Sequence, residues 1–150
     1  MTAVGLDIVD VHRDRQMQQR MRTGKYRITH ELNEEWIDLQ NNGPYVLNLQ
    51  GRLLVCVRRR SNGSGGYNVL RQALIRSNAT IPMQPGDKVR IYTGEQPAER
   101  TKQSDPRIRR VLWLVQTNYL WVPEGTEVHL YFSEADMRQG KGLLSRFALR

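Results

Sequence analysis

Apolar side chains recur at every second position along much of the chain, and Gly, Pro and Asn break the runs. Ile37 and Leu39 share one face of such a ribbon with Glu35 in phase, while Trp36, Asp38 and Gln40 fall on the other. Asn41-Asn42-Gly43-Pro44 follows as turn chemistry: Asn and Gly tolerate positive φ, and Pro fixes φ just after them. Leu47 and Leu49 then alternate with Asn48, Gly51 permits a sharp corner, and the apolar run Leu53 to Val57 comes next. Glu34 to Leu54 therefore predicts strand, turn, strand, bend, strand. A ribbon with one apolar face needs a second layer, so the rest of the chain should supply it.

The same pattern continues on both sides. Leu6 to Val11 predicts an opening strand. Residues 12–25 are either a short helix with Met17 and Met21 on a narrow stripe or a basic connection. Lys25 to Thr29 reads as a short strand. Arg58-Arg59-Arg60 runs into Ser61 to Gly66, a hairpin tip, and Tyr67 to Leu74 returns as a strand. Ile81 to Asp87 approaches a type II turn at Pro85-Gly86. In Lys88 to Thr93, Val89 and Ile91 take one face and Arg90 and Tyr92 the other. Glu95 to Arg110 reads as an exposed basic loop, and Val111 to Val115 as a buried strand. Val128, Leu130 and Phe132 alternate with His129 and Tyr131 in the last clear strand. Ser133 suits a helix N-cap with acids in the first turn. Gly140 and Gly142 would interrupt that helix, and the basic and apolar tail beyond either docks on the body or stays loose. Many short strands with Gly/Pro/Asn turns and little helix indicate an all-β sandwich or barrel. The expected division is a β-sandwich over residues 1–132 and a C-terminal short helix or tail over 133–150.

Length and composition narrow the picture. A chain of 150 residues makes one domain, and 39% hydrophobic content supplies a core without disulfide staples. Cys56 is the single cysteine and sits in the apolar run, so it reads as a small buried hydrophobe. The N-terminus lacks signal-peptide character, and no run reaches the ~20 apolar residues of a membrane span. The expected location is intracellular: cytoplasmic, or nuclear in a eukaryote. The net charge of +8 favours partners that carry negative charge.

The residues also carry a resemblance. Glu35-Trp36-Ile37-Asp38-Leu39-Gln40-Asn41 followed by Val46-Leu47-Asn48-Leu49-Gln50-Gly51 resembles the opening of the lamin-tail domain, an immunoglobulin-like β-sandwich. Ile81 to Tyr92 is similar to that family's Pro-Gly turn leading into a strand, and Thr126 to Tyr131 to its closing strand. The resemblance runs roughly from Leu6 to Phe132. Arg52 stands where the family usually has a buried Trp, so Trp113 or Trp121 should replace that contact. The Glu95 to Arg110 loop reads as an insertion, and no filament rod is attached. The resemblance implies a non-catalytic module that binds nucleic acid, chromatin or proteins, with no catalytic residues to carry over.

Catalytic and metal motifs are weak. His12, His30 and His129 are not at ligand spacing, and His30 to Glu34 ends in Glu where a zinc protease needs His. One histidine with one cysteine makes no structural zinc site. Glu31, Glu34, Glu35 and Asp38 form an acidic patch, expected as a solvated edge or a partner for arginines; alternation sends Glu35 and Asp38 to opposite faces, which disfavours a calcium site, and a hydrolase using the patch ranks third among the readings. Gly63 to Gly66 lacks the Lys of a phosphate loop. No cofactor, metal or small-molecule substrate is expected. The arginines are the best candidates: Arg58, Arg59 and Arg60 beside one loop, and Arg107, Arg109 and Arg110 beside another. Consecutive strand residues point to opposite faces, so each triplet faces solvent only where a strand ends or bulges. Should both clusters share one end of the sandwich, they form a rim suited to phosphates, with Tyr45, Tyr67 and Tyr92 available to stack on bases. The leading expectation is a binding module for nucleic acid or an acidic protein. The alternative is protein interaction or homo-oligomer assembly through a sheet edge and the C-terminal tail.

Overall fold

The protein was analysed as a computed structural model, which describes residues 5–13, 29–61, 65–96, 106–116, 118–122 and 124–149. The expectations for a basic connection after His12 and for a strand at Lys25 to Thr29 lie outside these residues, except that Thr29 opens a 3-10 turn, Thr29–Glu34.

Two four-stranded sheets stack face to face. The first contains β1 (Leu6–His12), β2 (Trp36–Asn41), β7 (Lys88–Tyr92) and β8 (Ile108–Trp113), in the order β1-β2-β7-β8. Its pairs are antiparallel except for β7 and β8, which run parallel. The second contains β4 (Leu53–Arg59), β5 (Tyr67–Leu74), β9 (Glu127–Tyr131) and β10 (Leu143–Ala148), in the order β10-β9-β4-β5, antiparallel throughout. A small ladder of β3 (Leu47–Asn48) and β6 (Pro82–Met83) completes the strands. Among the described residues, no helix is long and apolar enough to cross a membrane.

Period-2 patterning explains the core. Ile37, Leu39, Val89 and Ile91 from the first sheet meet Leu54, Cys56, Val128 and Leu130 from the second, all buried. Full burial of one such side chain stabilises by about 1.5–3 kcal/mol. Leu53, Val55 and Val57 form a second apolar cluster with Tyr67, Leu74, Tyr131 and Met137. The central strand β4 is thus buried on both faces from Leu53 to Val57, which is why it reads as an unbroken apolar run.

The turns follow their residues. Asn41 donates through Nδ2 to the carbonyls of Tyr45 (2.7 Å) and Met83 (2.9 Å), and its Oδ1 accepts from Gly43 N at 3.0 Å. One buried amide therefore fixes the turn after β2 to the small ladder. Gly5 holds φ +99, and a Cβ there would lie 2.5 Å from Gly43 N, so only glycine fits that approach. At Pro85-Gly86, Asp87 N donates to Gln84 O at 3.0 Å and Gly86 takes φ +88, as a type II turn demands.

The structure corrects one expectation, the buried strand at Val111 to Val115, and narrows three others. The acidic patch divides: Glu34 is exposed, while Glu35 and Asp38 are both buried. The Arg52 position is not filled by a tryptophan; its own guanidinium lies 3.9 Å over the Phe132 ring and donates to Phe132 O and Asn48 O. Of the two candidate replacements, Trp121 lies in the core and Trp113 is only half-buried. The apolar run Val111 to Val115 is not a buried strand. Its strand begins at Ile108 and forms a sheet edge, leaving Val111 to Leu114 half-buried and Val115 exposed. Finally, of the two alternatives for the C-terminal segment the docked one holds: it pairs as an edge strand of the second sheet. Ser133 Oγ caps helix α1 (Glu134–Arg138) by accepting from Asp136 N. Gly140 and Gly142, both at positive φ, then turn the chain into β10.

Candidate nucleic-acid interface

β4 leaves the apolar interior after Val57, and Arg58, Arg59 and Arg60 are all exposed. Arg59 is the last residue of the strand and Arg60 lies beyond it, which is what lets the triplet face solvent. Each guanidinium is nevertheless held. Arg58 Nε donates to Glu124 O at 3.1 Å. Arg59 lies 5.8 Å over the Tyr67 ring and 3.9 Å from the Glu127 carboxylate. Its pKa is pushed further up, first by the Tyr67 hydroxyl and then by Glu127. Arg60 Nε donates to Asn68 Oδ1 at 3.0 Å, and its backbone N–H closes the hairpin on Gly66 O.

The other triplet lies elsewhere. Arg107 sits in the turn before β8, while Arg109 and Arg110 belong to the strand itself. Lys88 pairs with Ile108 and Val89 with Arg110, so Arg109 is the extra residue of a bulge. That bulge allows two consecutive arginines to be exposed. Arg110 lines a groove with Leu53 and residues 73–76, at the opposite end of β4 from Arg59. β4 spans seven residues, roughly 20 Å at about 3.3 Å per residue. Arg110 thus lies nearer the start of β4 than its arginine end.

Sequence reasoning missed an aromatic row on the outer face of the first sheet. His12 pairs with Trp36, Trp36 with Tyr92, and Tyr92 with Trp113. Trp36 has a near-parallel His12 ring at 5.0 Å and the Arg90 guanidinium at 3.7 Å. Arg90 in turn donates to both Asp38 oxygens, at 2.9 and 3.0 Å. This pairing is the arginine partnership foreseen for the acidic patch, and the Asp38 hydrogen bond raises the Arg90 pKa against the cost of burial. Tyr92 stacks on Trp113 at 6.3 Å. The polar-phase positions of Trp36, Arg90 and Tyr92 were visible in the sequence, but their alignment depends on strand register, which was not.

Comparison with models of known protein families and with curated protein sequences found no match.

The base-stacking roles weighed for tyrosines also sort by environment. Tyr45 is 74% exposed and free to stack. Tyr67 is committed: its hydroxyl donates to Glu127 Oε2 at 3.1 Å and its ring meets His129 edge-on at 4.8 Å. Burial works against charging the Glu127 carboxyl, but the hydrogen bonds of His129 and Tyr67 outweigh it and lower its pKa. Burial lowers the pKa of His129, against the pull of Glu127. His129 Nε2 lies 2.9 Å from Glu127 Oε1, while its buried Nδ1 has no hydrogen-bond partner. Cys56 is buried, and burial pushes its thiol up to about 11. Among the described residues no three His, Cys, Asp or Glu side chains converge as metal ligands.

Proposed function

We propose that this chain is a non-catalytic binding module of lamin-tail, immunoglobulin-like type that engages nucleic acid, held mainly by charge, through Arg58, Arg59 and Arg60. An intracellular setting goes with this reading. The observation that carries it is an exposed arginine triplet at one strand end whose guanidinium groups are positioned by Glu124, Tyr67 and Asn68. Positioned guanidinium groups lose less freedom when they grip phosphate. The excess of positive charge, +8 overall, adds long-range attraction. Arg107, Arg109 and Arg110, in and just before β8 of the other sheet, supply further positive charge for the same polymer. The two-sheet core leaves these side chains outside, and the lamin-tail part of the reading rests on the sequence resemblance.

Electrophoretic shift against rising salt tests the reading. On double-stranded DNA, each lost phosphate contact should flatten the slope of log affinity against log salt by about 0.9. Replacing Arg58, Arg59 and Arg60 with Gln should therefore flatten it by up to about 2.7. The Arg107/Arg109/Arg110 replacement should flatten the slope by an increment of its own. Absence of binding at low salt, or an unchanged slope in the first variant, removes the proposal.

A further inference from the structure

The two seams of the sandwich differ. On one side β1 and β10 are joined by a hydrogen bond from Ile8 N to Ser145 Oγ at 3.0 Å. On the other, β5 and β8 are both edge strands with no partner beyond them among the described residues. Between them runs a groove of about 870 Å³. Its walls include Leu53, Ala73, Ile75 and Leu112, and Arg76 and Arg110 stand at its rim. Glu134 also lines it, but its carboxylate is engaged by Arg138.

β8 gives this groove a continuous run from Arg110 to Gln116. Leu114 N donates to Tyr92 O at 2.9 Å, so alternation turns the backbone of Leu112 and Leu114 toward β7. The N–H and C=O groups of Val111 and Trp113 then point to the free edge. Beyond the strand, Val115 takes φ +54 while 63% exposed. A β-branched residue rarely adopts that conformation. It is held there by Val115 N to Gly94 O at 3.0 Å and Gln116 N to Thr93 O at 2.9 Å, and it puts an apolar side chain at the lip of the groove.

We propose that the β8 edge is a docking site for an extended acidic peptide segment, which adds to the first sheet as a further strand. Sheets stacked about 10 Å apart leave a seam wide enough for one such chain. Main-chain hydrogen bonds to Val111 and Trp113 supply the pairing, and alternate side chains of the peptide enter the seam. Arg76 and Arg110 select carboxylates at its rim. A second copy of this chain is a poor occupant, because it carries the same +8 charge. The site shares Arg110 with the second arginine patch but none of its lining with Arg58 to Arg60.

The test is fluorescence anisotropy with a labelled peptide of about eight alternating Val and Glu residues, a Val/Lys counterpart, and a single-stranded oligonucleotide of matched charge. The Val/Glu peptide should bind and the Val/Lys peptide should not. Val111→Pro removes the free-edge N–H without touching a β7 hydrogen bond, and edge strands tolerate proline. It should weaken peptide binding at least about tenfold with an unchanged circular dichroism spectrum. Should that variant fail to fold, Arg110→Glu at an exposed position decides, with a several-fold loss expected. No peptide binding, or binding indifferent to the Val111 and Arg110 changes, overturns the proposal. So does displacement of the peptide by the oligonucleotide with Val111→Pro having no effect, which would assign the groove to charge alone.

Discussion

Glu35 is a carboxylate in the middle of an apolar core, and its removal should be the costliest single polar change in the molecule. It accepts from Thr93 Oγ1 at 2.7 Å, Leu120 N at 2.8 Å and Trp121 N at 3.3 Å. Its own backbone carbonyl accepts from Thr93 N at 3.1 Å. The side chain thus ties β2 to the segment that carries Trp121 into the core. Glu35→Ala strands these donors in a buried site, at about 1–3 kcal/mol for each orphaned group. Allowing for relaxation, a loss of roughly 3–5 kcal/mol is expected, a large part of a typical 5–15 kcal/mol stability. For a domain of this size each kcal/mol moves Tm by about 2–4 °C, so Tm should fall by roughly 6–20 °C. Glu35→Gln keeps one acceptor oxygen and should lose only about 1–3 kcal/mol. Thermal denaturation followed by far-ultraviolet circular dichroism, with tryptophan fluorescence reporting on the Trp121 environment, measures both. An Ala variant melting within about 2 °C of the parent, or melting above the Gln variant, would refute the anchoring role.

Other outcomes follow from neighbouring groups. The folded-state pKa of His129 lies below its ordinary 6.5, so between those values the unfolded chain binds the extra proton. Its contribution is complete above about pH 6.5 and is lost as pH falls below it. Glu127, lowered from 4.5, adds a further loss as pH drops below that value, and urea titrations across this range should show stability rising with pH; a His129→Gln protein that keeps the upper limb would count against the assignment. Gly125→Ala would drive a Cβ into Cys56 Sγ and place it 3.2 Å from Val122 O, costing about 1–3 kcal/mol. Cys56→Ala should recover part of that cost in a double-mutant cycle, whereas simple additivity would show that the thiol is not the obstacle.

The two-layer fold was legible because Ile37/Leu39, Val89/Ile91 and Val128/Leu130 carry period-2 signals strong enough to fix which face is buried. The Arg58 to Arg60 exposure was legible too, from the rule that a strand must end where three charges stand in a row. What escaped depends on pairing partners distant in sequence. The run at Val111 looks as apolar as a central strand, and only its lack of a neighbour beyond β8 makes it an edge. Glu35 lies in phase with Ile37, so its burial was written in the alternation, but the donors that permit a buried carboxylate come from residues near 93 and 120. The aromatic row needs the registers of three strand pairs, and the place of Arg110 beside the start of β4 needs the stacking of two sheets.

The arginine triplet next to β4 also bears on how the chain behaves before it folds. Leu53 to Val57 is buried on both faces, so in an unfolded or half-folded chain it is the segment most prone to pair with its own kind. Three positive charges immediately after it act as a gatekeeper against such stacking. Stripping them for a binding assay would therefore also shorten the shelf life of the soluble protein, and light scattering belongs beside every titration of those variants.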